Sequence, residues 1–399
     1  MNRSEGRILT THAGSLPRPQ DLIDLYRADA PDAVLGPRLR SAVAEVVGRQ
    51  RQCGIDVVGD GEFGKATRAA VDYGAWWSYV YERMQGFEVR PGRVYGETFG
   101  PMSSLDRARF KEFYETGAPM SGGMASGAQQ ATAGSRLAQL ACTGPVRYTG
   151  HDRIRRDIDN FKAALGGAAA GEAFMTAVSP ATLQIIPNEH YSTQEDYTWA
   201  LAEAIREEYE AIVDAGFILQ VDDPALVDLY DWWFSAREDF AGYRKWAEFQ
   251  VQAVNHALER IPEDRVRFHI CWGSWHGPHS SDVPLKDVAD LLVNVRAQAY
   301  SVEAGNVRHE HEWKVWRDAV RLPEGKLLIP GVVSHATNVL EHPEVVADRL
   351  VRYAEVAGRE NVIAGTDCGL GGRIHPQLVW AKLAVLAEGA ALASRRLWP

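Results

Sequence analysis

Eight short apolar runs, interleaved with helical stretches, recur from one end of this 399-residue chain to the other. In order they are ILTTHAG, IDVVGDG, FMTAVSP, FILQVDD, VRFHIC, AYSVEA, KLLIPGVV and NVIAGTD. Such runs, apolar throughout and closed by turn-forming residues, read as strands buried on both faces, the kind a parallel sheet requires. PRLRSAVAEVVGRQRQ, DYTWALAEAIREEYEAIVDA, YRKWAEFQVQAVNHAL and EVVADRLVRYAEVA space their apolar residues as amphipathic helices do. The alternation predicts an α/β fold. Eight strands predict one decorated (β/α)8 TIM barrel, a single domain over residues 1–399. One spacing breaks the pattern: an excursion of roughly a hundred residues separates the second and third runs, far beyond an ordinary connection. Its centre, at about 80–150, holds GFEVRPGRVYGETFG and ACTGPVRYTG, which alternate like hairpin strands, and the glycine-rich SGGMASGAQQ. A long loop on the carboxyl face of a barrel is expected to form the pocket or close over it.

Composition narrows the partners. A formal charge of −10 argues against nucleic acid or an anionic membrane, since both need a basic surface. No run approaches the roughly 20 apolar residues that span a bilayer, and MNRSEGRILTTHAGS lacks the regions of a secretory signal. A cytoplasmic location is expected, and a homo-oligomer is compatible with the composition. Four cysteines are too few for a disulfide framework, so metal ligands or core residues are the expectation.

The chemistry gathers at strand ends. His269 and Cys271 stand two apart in RVRFHICWG, Glu303 closes AYSVE, and Cys368 follows NVIAGTD. The carboxyl ends of barrel strands meet at one face, which makes such distant residues neighbours. One imidazole, two thiolates and a carboxylate suit a single Zn2+. Cys53 and Cys142 lie outside this pattern and read as structural. His276, His279, His309 and His311 read as polar loop residues, one of them in reach of a supporting role. Trp272 and Trp275 follow Cys271 directly and are expected to wall the pocket.

Further motifs stand in a telling order: AGSLPRP with Gly14, Ser15 and Pro17, then Gly61-Glu62, then QVDDPALVD with Asp222, then His-x-Cys, then His335 in GVVSHATN, then Asp-Cys-Gly-Leu. Along nearly its whole length the chain resembles the catalytic half of the cobalamin-independent methionine synthases. The resemblance implies a barrel of the methionine synthase/uroporphyrinogen decarboxylase type and zinc on His269, Cys271, Glu303 and Cys368. It also implies Ser15, Glu62 and Asp222 around the thiol substrate, and His335 as the acid. Where the family places a tryptophan against the pterin, this chain has Ile186, and GEFGKATR replaces the family's Asn-Asp pair after the glutamate. The related epoxyalkane:coenzyme M transferases share the single barrel and its zinc and need no folate.

A free thiol has a pKa of about 8.5 and attacks carbon as the thiolate, and coordination to zinc deprotonates it. The expected partners are therefore a small-molecule thiol and a methyl or alkyl donor. Homocysteine is the first-choice acceptor, because Glu62 and Asp222 suit its ammonium. An epoxide or alkyl thioltransferase using coenzyme M is the rival, with Arg18 or Arg68 meeting the sulfonate. A metal-free lyase or decarboxylase on the same barrel, and a non-catalytic zinc or methyl carrier, are further alternatives.

Overall fold

The computed structural model describes residues 1–68, 70–72, 74–92, 104–115, 140–167, 172–274 and 276–399. Its strands, in chain order, are β1 (Leu9–Thr10), β2 (Met84–Val89), β3 (Leu140–Tyr148), β4 (Phe174–Val178), β5 (Ile218–Asp222), β6 (Val266–His269), β7 (Ala299–Glu303), β8 (Leu327–Val333) and β9 (Ile363–Thr366). Seven form one sheet in the order β1-β9-β8-β7-β6-β5-β4, and every pairing in it is parallel. Each residue of β4 through β9 is buried. That explains why the runs are apolar throughout rather than alternating.

The second expected strand, IDVVGDG, does not form a ladder strand. Side chains take the place of strand partners there. Asp56 Oδ2 accepts from the Thr10 N–H at 2.9 Å, and Gln50 holds both backbone groups of Gly59, accepting its N–H at 2.9 Å and donating to its carbonyl at 2.7 Å. Local side-chain bonds of this kind compete with a ladder. The segment still touches both edges of the sheet: Val57 N–H donates to the Thr10 carbonyl at 3.0 Å, and Gly59 pairs with Phe174 through a parallel bridge.

Among the described residues, six long helices, Asp32–Gln52, His151–Leu165, Gln194–Asp214, Phe240–Ala257, Pro343–Ala357 and Pro376–Leu397, are interspersed with these strands. Local signals set their ends. Thr193 accepts from the Asp196 N–H at 3.0 Å, and Pro343 and Pro376 open their helices where no N–H is needed. No described helix is long and apolar enough to cross a membrane.

In the excursion, β2 and β3 form an antiparallel pair with a bulge between Gln85 and Phe87, as the alternation in GFEV and ACTGPVRY predicts. The glycine-rich SGGMASGAQQ lies outside the described residues. Arg83 ties the pair to the helices. Its guanidinium is buried against Asp157 at 2.5 Å and Glu208 at 3.2 Å, and Tyr79 and Tyr148 donate to the same Glu208 at 2.6 and 2.5 Å.

Candidate active site

The carboxyl ends of the strands converge on a cleft of about 280 Å³. Ser15, Glu62, Trp76, Asp222, His269, Cys271, Cys368 and Arg373 are among its lining residues. Asp222 and His269 are the last residues of β5 and β6, and Cys271 and Cys368 stand two beyond β6 and β9. Glycine lets the walls approach. A Cβ on Gly14, whose φ is +124°, would stand 2.8 Å from Glu62 Oε1. One on Gly369 would stand 2.7 Å from the Ser15 side chain.

Three of the four expected metal ligands meet. A ring nitrogen of His269 and the sulfurs of Cys271 and Cys368 all lie within 4.8 Å of one another, and the two sulfurs are 3.6 Å apart. His269 Nδ1 is hydrogen-bonded to Ser301 Oγ at 3.0 Å, while its buried Nε2 has no partner. One ring nitrogen fixed and the other left over is how a ligating imidazole is commonly oriented. The cysteines divide a proton unequally. A hydrogen bond from Cys271 holds Cys368 well below the usual thiol range, with Arg373 and His269 assisting. The same bond, with burial, pushes Cys271 well above it.

Glu303 falls outside that group. Its Oε1 accepts from the Trp272 N–H at 3.0 Å and its Oε2 from Asn306 at 3.0 Å. It forms a second buried set with His335 and Asp367, whose polar atoms also lie within 4.8 Å of one another. Burial raises the Glu303 carboxyl and drives the His335 imidazole down to about 3, so the ring is neutral at pH 7 with Nδ1 unpartnered. Asp367 was not anticipated. Its Oδ1 accepts from the N–H groups of Ala304 and Gly305 at 2.8 Å, gripping the turn after Glu303.

The second constellation forms the floor. Glu62 Oε1 accepts from Thr176 Oγ1 at 2.6 Å and lies 3.7 Å from the Lys65 ammonium, while its buried Oε2 has no partner. Asp222 accepts from Gln220 at 2.6 Å, and Gln220 accepts in turn from the buried Arg267 at 2.5 Å. Burial pushes the Asp222 carboxyl up; the charge of His269 opposes this and that of Glu62 adds to it. Ser15 lies on the same wall as Cys368, its carbonyl accepting from Leu370 and Gly371 N–H at 2.9 Å.

Other expectations need correction. Trp272 is fully buried with its Nε1 on the Val283 carbonyl at 2.7 Å, so it supports the site from behind. Trp275 lies outside the described residues; among the described ones, Trp76 is an aromatic that lines the cleft. Ile186 is buried in the main core. Arg68 is exposed beside Asp29, and Arg18 is buried on the Glu62 carbonyl and near Asp72. Neither lines the cleft, whereas Arg373, which ends the run DCGLGGR, does. His279 and His309 are not loose loop residues. Both are buried on Asp282, His309 also bonds Glu312 at 3.0 Å, and its ring stacks on Trp272 at 3.8 Å.

With these strand-end residues in place, comparison with known proteins decides the family. Residues 186–391 match the family model described as cobalamin-independent synthase, catalytic domain. The chain belongs to this family. It is 23% identical to a methionine synthase of Sulfolobus acidocaldarius, covering 97% of this chain and 93% of that protein. It is 21% identical to the 2-hydroxypropyl-CoM lyase of Xanthobacter autotrophicus, covering 92% and 89%. A solved B12-independent methionine synthase from Shewanella sp. W3-18-1, in complex with selenomethionine, is similar in fold with a TM-score of 0.69 at 19% identity, covering 98% of this chain and 99% of that one. The chain is thus a member of a methionine synthase-like enzyme family with an α/β fold.

Proposed function

We propose that the protein transfers a methyl or other alkyl group to a zinc-activated thiol, with homocysteine as acceptor and methionine as product. The observation that carries this reading is one cleft holding both a nitrogen-sulfur-sulfur donor set and unsatisfied carboxylate oxygen. We also read the scaffold as a single closed (β/α)8 barrel, because the 56–59 segment bonds to Thr10 on one side and Phe174 on the other.

The donor set fits zinc. Two unbridged buried cysteines and a histidine with an orphaned Nε2 supply three ligands of the preferred type, and Glu303, next to them in the fold, is the fourth. When bound, zinc would hold the substrate sulfur as a thiolate at neutral pH. The protein's own residues do the rest. Glu62 Oε2 and Asp222 take the substrate ammonium, and Ser15 closes that end. Asp367 and Asn306 hold Glu303 in place. His335, beside Glu303, is the proton carrier of this reading: its neutral ring takes up the proton the substrate thiol sheds on binding and passes it to the departing group as the carbon–sulfur bond forms and the donor's bond to carbon breaks. Buried walls keep water from the reacting thiolate.

Zinc-loaded protein given homocysteine and a methyl donor should yield methionine, and H335N should bind zinc and thiol while losing turnover. Transfer to 2-mercaptoethanesulfonate in place of homocysteine would establish the alkyl thioltransferase reading instead. That second reading has the relationship to a 2-hydroxypropyl-CoM lyase in its favour, and the carboxylates of Glu62 and Asp222 against it.

A further inference from the structure

We propose that a buried ion pair outside the cleft, Lys382 with Glu341, positions His335. This rests on the reading of His335 as proton carrier and adds the residues that hold it in place.

His335 stands two residues beyond β8, at the start of the loop that joins this strand to the helix Pro343–Ala357. Its ring is buried, and Nδ1 makes no hydrogen bond that would fix it. Orientation therefore falls to the backbone on either side. Glu341 Oε1 accepts the N–H of Ser334 at 2.8 Å, which closes the loop across seven residues. Ser334 Oγ accepts the N–H of Ala336 at 3.1 Å. His335 thus sits between two tied neighbours.

Apolar packing gives the tip of this loop little support, since Val339 and Leu340 are 71% and 42% exposed. Lys382 supplies the anchor. It comes from the helix Pro376–Leu397, and its side chain is fully buried. Nζ donates to both Glu341 oxygens, at 3.0 and 2.8 Å, and to the Val339 carbonyl at 2.8 Å. An ammonium has three donors, and the loop takes all three. Neither Lys382 nor Glu341 is among the residues lining the cleft. Taking both charges out of water costs free energy that well-packed apolar residues would not. What the pair provides is one conformation of the loop. Charge-assisted bonds hold Val339 and Glu341, Glu341 holds Ser334, and Ser334 precedes His335. A catalytic group displaced by about 1 Å can lose about a hundredfold in rate.

The test uses zinc-loaded protein with homocysteine and two model electrophiles. Opening 1,2-epoxypropane forms a carbon–sulfur bond, breaks a carbon–oxygen bond and leaves an alkoxide that must take a proton. Iodomethane loses iodide with the bonding pair and needs none. H335N sets the limit for lost proton delivery. K382M should slow the epoxide reaction about tenfold or more while leaving the iodomethane rate, zinc content and homocysteine affinity unchanged. Should K382M not fold, K382M/E341Q, which leaves no unpaired charge, should show the same selective loss. In hydrogen exchange, residues 334–341 should lose protection in either variant while β6 and β7 keep theirs. Equal slowing with both electrophiles, no slowing, or undiminished protection at 334–341 overturns the positioning role. An H335N that opens epoxypropane as fast as wild type overturns the proton carrier instead, whatever Lys382 does. A wild type that alkylates homocysteine with neither electrophile overturns the thiol-transfer reading itself.

Discussion

The sulfurs of Cys271 and Cys368 stand 3.6 Å apart although 97 residues separate them in the chain. Two strands, β6 and β9, deliver them to one point, with a His269 ring nitrogen within 4.8 Å of both. Both thiols are buried, and two thiolates that close would repel unless a cation lay between them. Protein purified with zinc present should carry about one ion per chain. C368S should weaken zinc at least tenfold, on the order expected when one of four ligands is lost. Elemental analysis after dialysis decides it, and a metal-free wild type would sink the site.

His309 gives a pH dependence. Burial pulls its imidazole down, yet hydrogen bonds to Asp282 and Glu312 outweigh this and raise it from 6.5 to about 10. A base raised on folding stabilises the fold fully below its unfolded pKa, and the gain is lost as pH rises through the folded value. The wild-type advantage over H309Q should therefore be full below about pH 6.5 and vanish past about pH 10, a difference on the order of a few kcal/mol. Urea melts of both proteins across that window measure it. A constant difference would mean the ring is not charged in the folded protein.

Arg83 is a buried hub with both Asp157 and Glu208 on its guanidinium. Removing one partner of a buried pair leaves uncompensated charge, at a cost of about 3–5 kcal/mol. R83M should lose that much stability in denaturant titration. R83M/E208Q should lose less than the sum of the single variants, because Glu208 no longer carries an unmatched charge. Strict additivity would show that the network is not coupled.

Much of this was legible in the sequence because parallel strands are apolar throughout and end in the residues that do chemistry. FILQVDD and VRFHIC placed Asp222, His269 and Cys271 to within a residue or two of the strand ends. IDVVGDG was misread as a ladder strand because the competing partners, Asp56 and the distant Gln50, are side chains whose reach no local pattern reveals. His309 reads as a loop residue for a similar reason: Glu312 is close in the chain, but Asp282 and Trp272, which also hold the ring, come from another segment. Arg373 carries a signal in the sequence, since it ends the glycine-rich run that begins at Cys368. Trp76 had none, because nothing in AWWS tells which of two tryptophans faces the cleft.

Glu62 tests the substrate end of the site. It holds a left-handed backbone, φ 63°, which costs a residue with a side chain free energy and persists when the surroundings enforce it. Here the enforced geometry points Oε1 at Thr176 and leaves Oε2 buried and unpaired. E62Q keeps the shape and the Thr176 contact while removing the charge. A hydrogen bond to a charged group contributes about 1.5–3 kcal/mol, so E62Q should weaken homocysteine roughly ten- to hundredfold. Its zinc content should match wild type, because Glu62 is not in the ligand group. Its affinity for 4-mercaptobutanoate, which has the carboxylate and thiol but no ammonium, should not fall. Equal losses for both thiols would show that Glu62 shapes the cleft without reading the ammonium, and the assignment to amino-acid thiols would then fail.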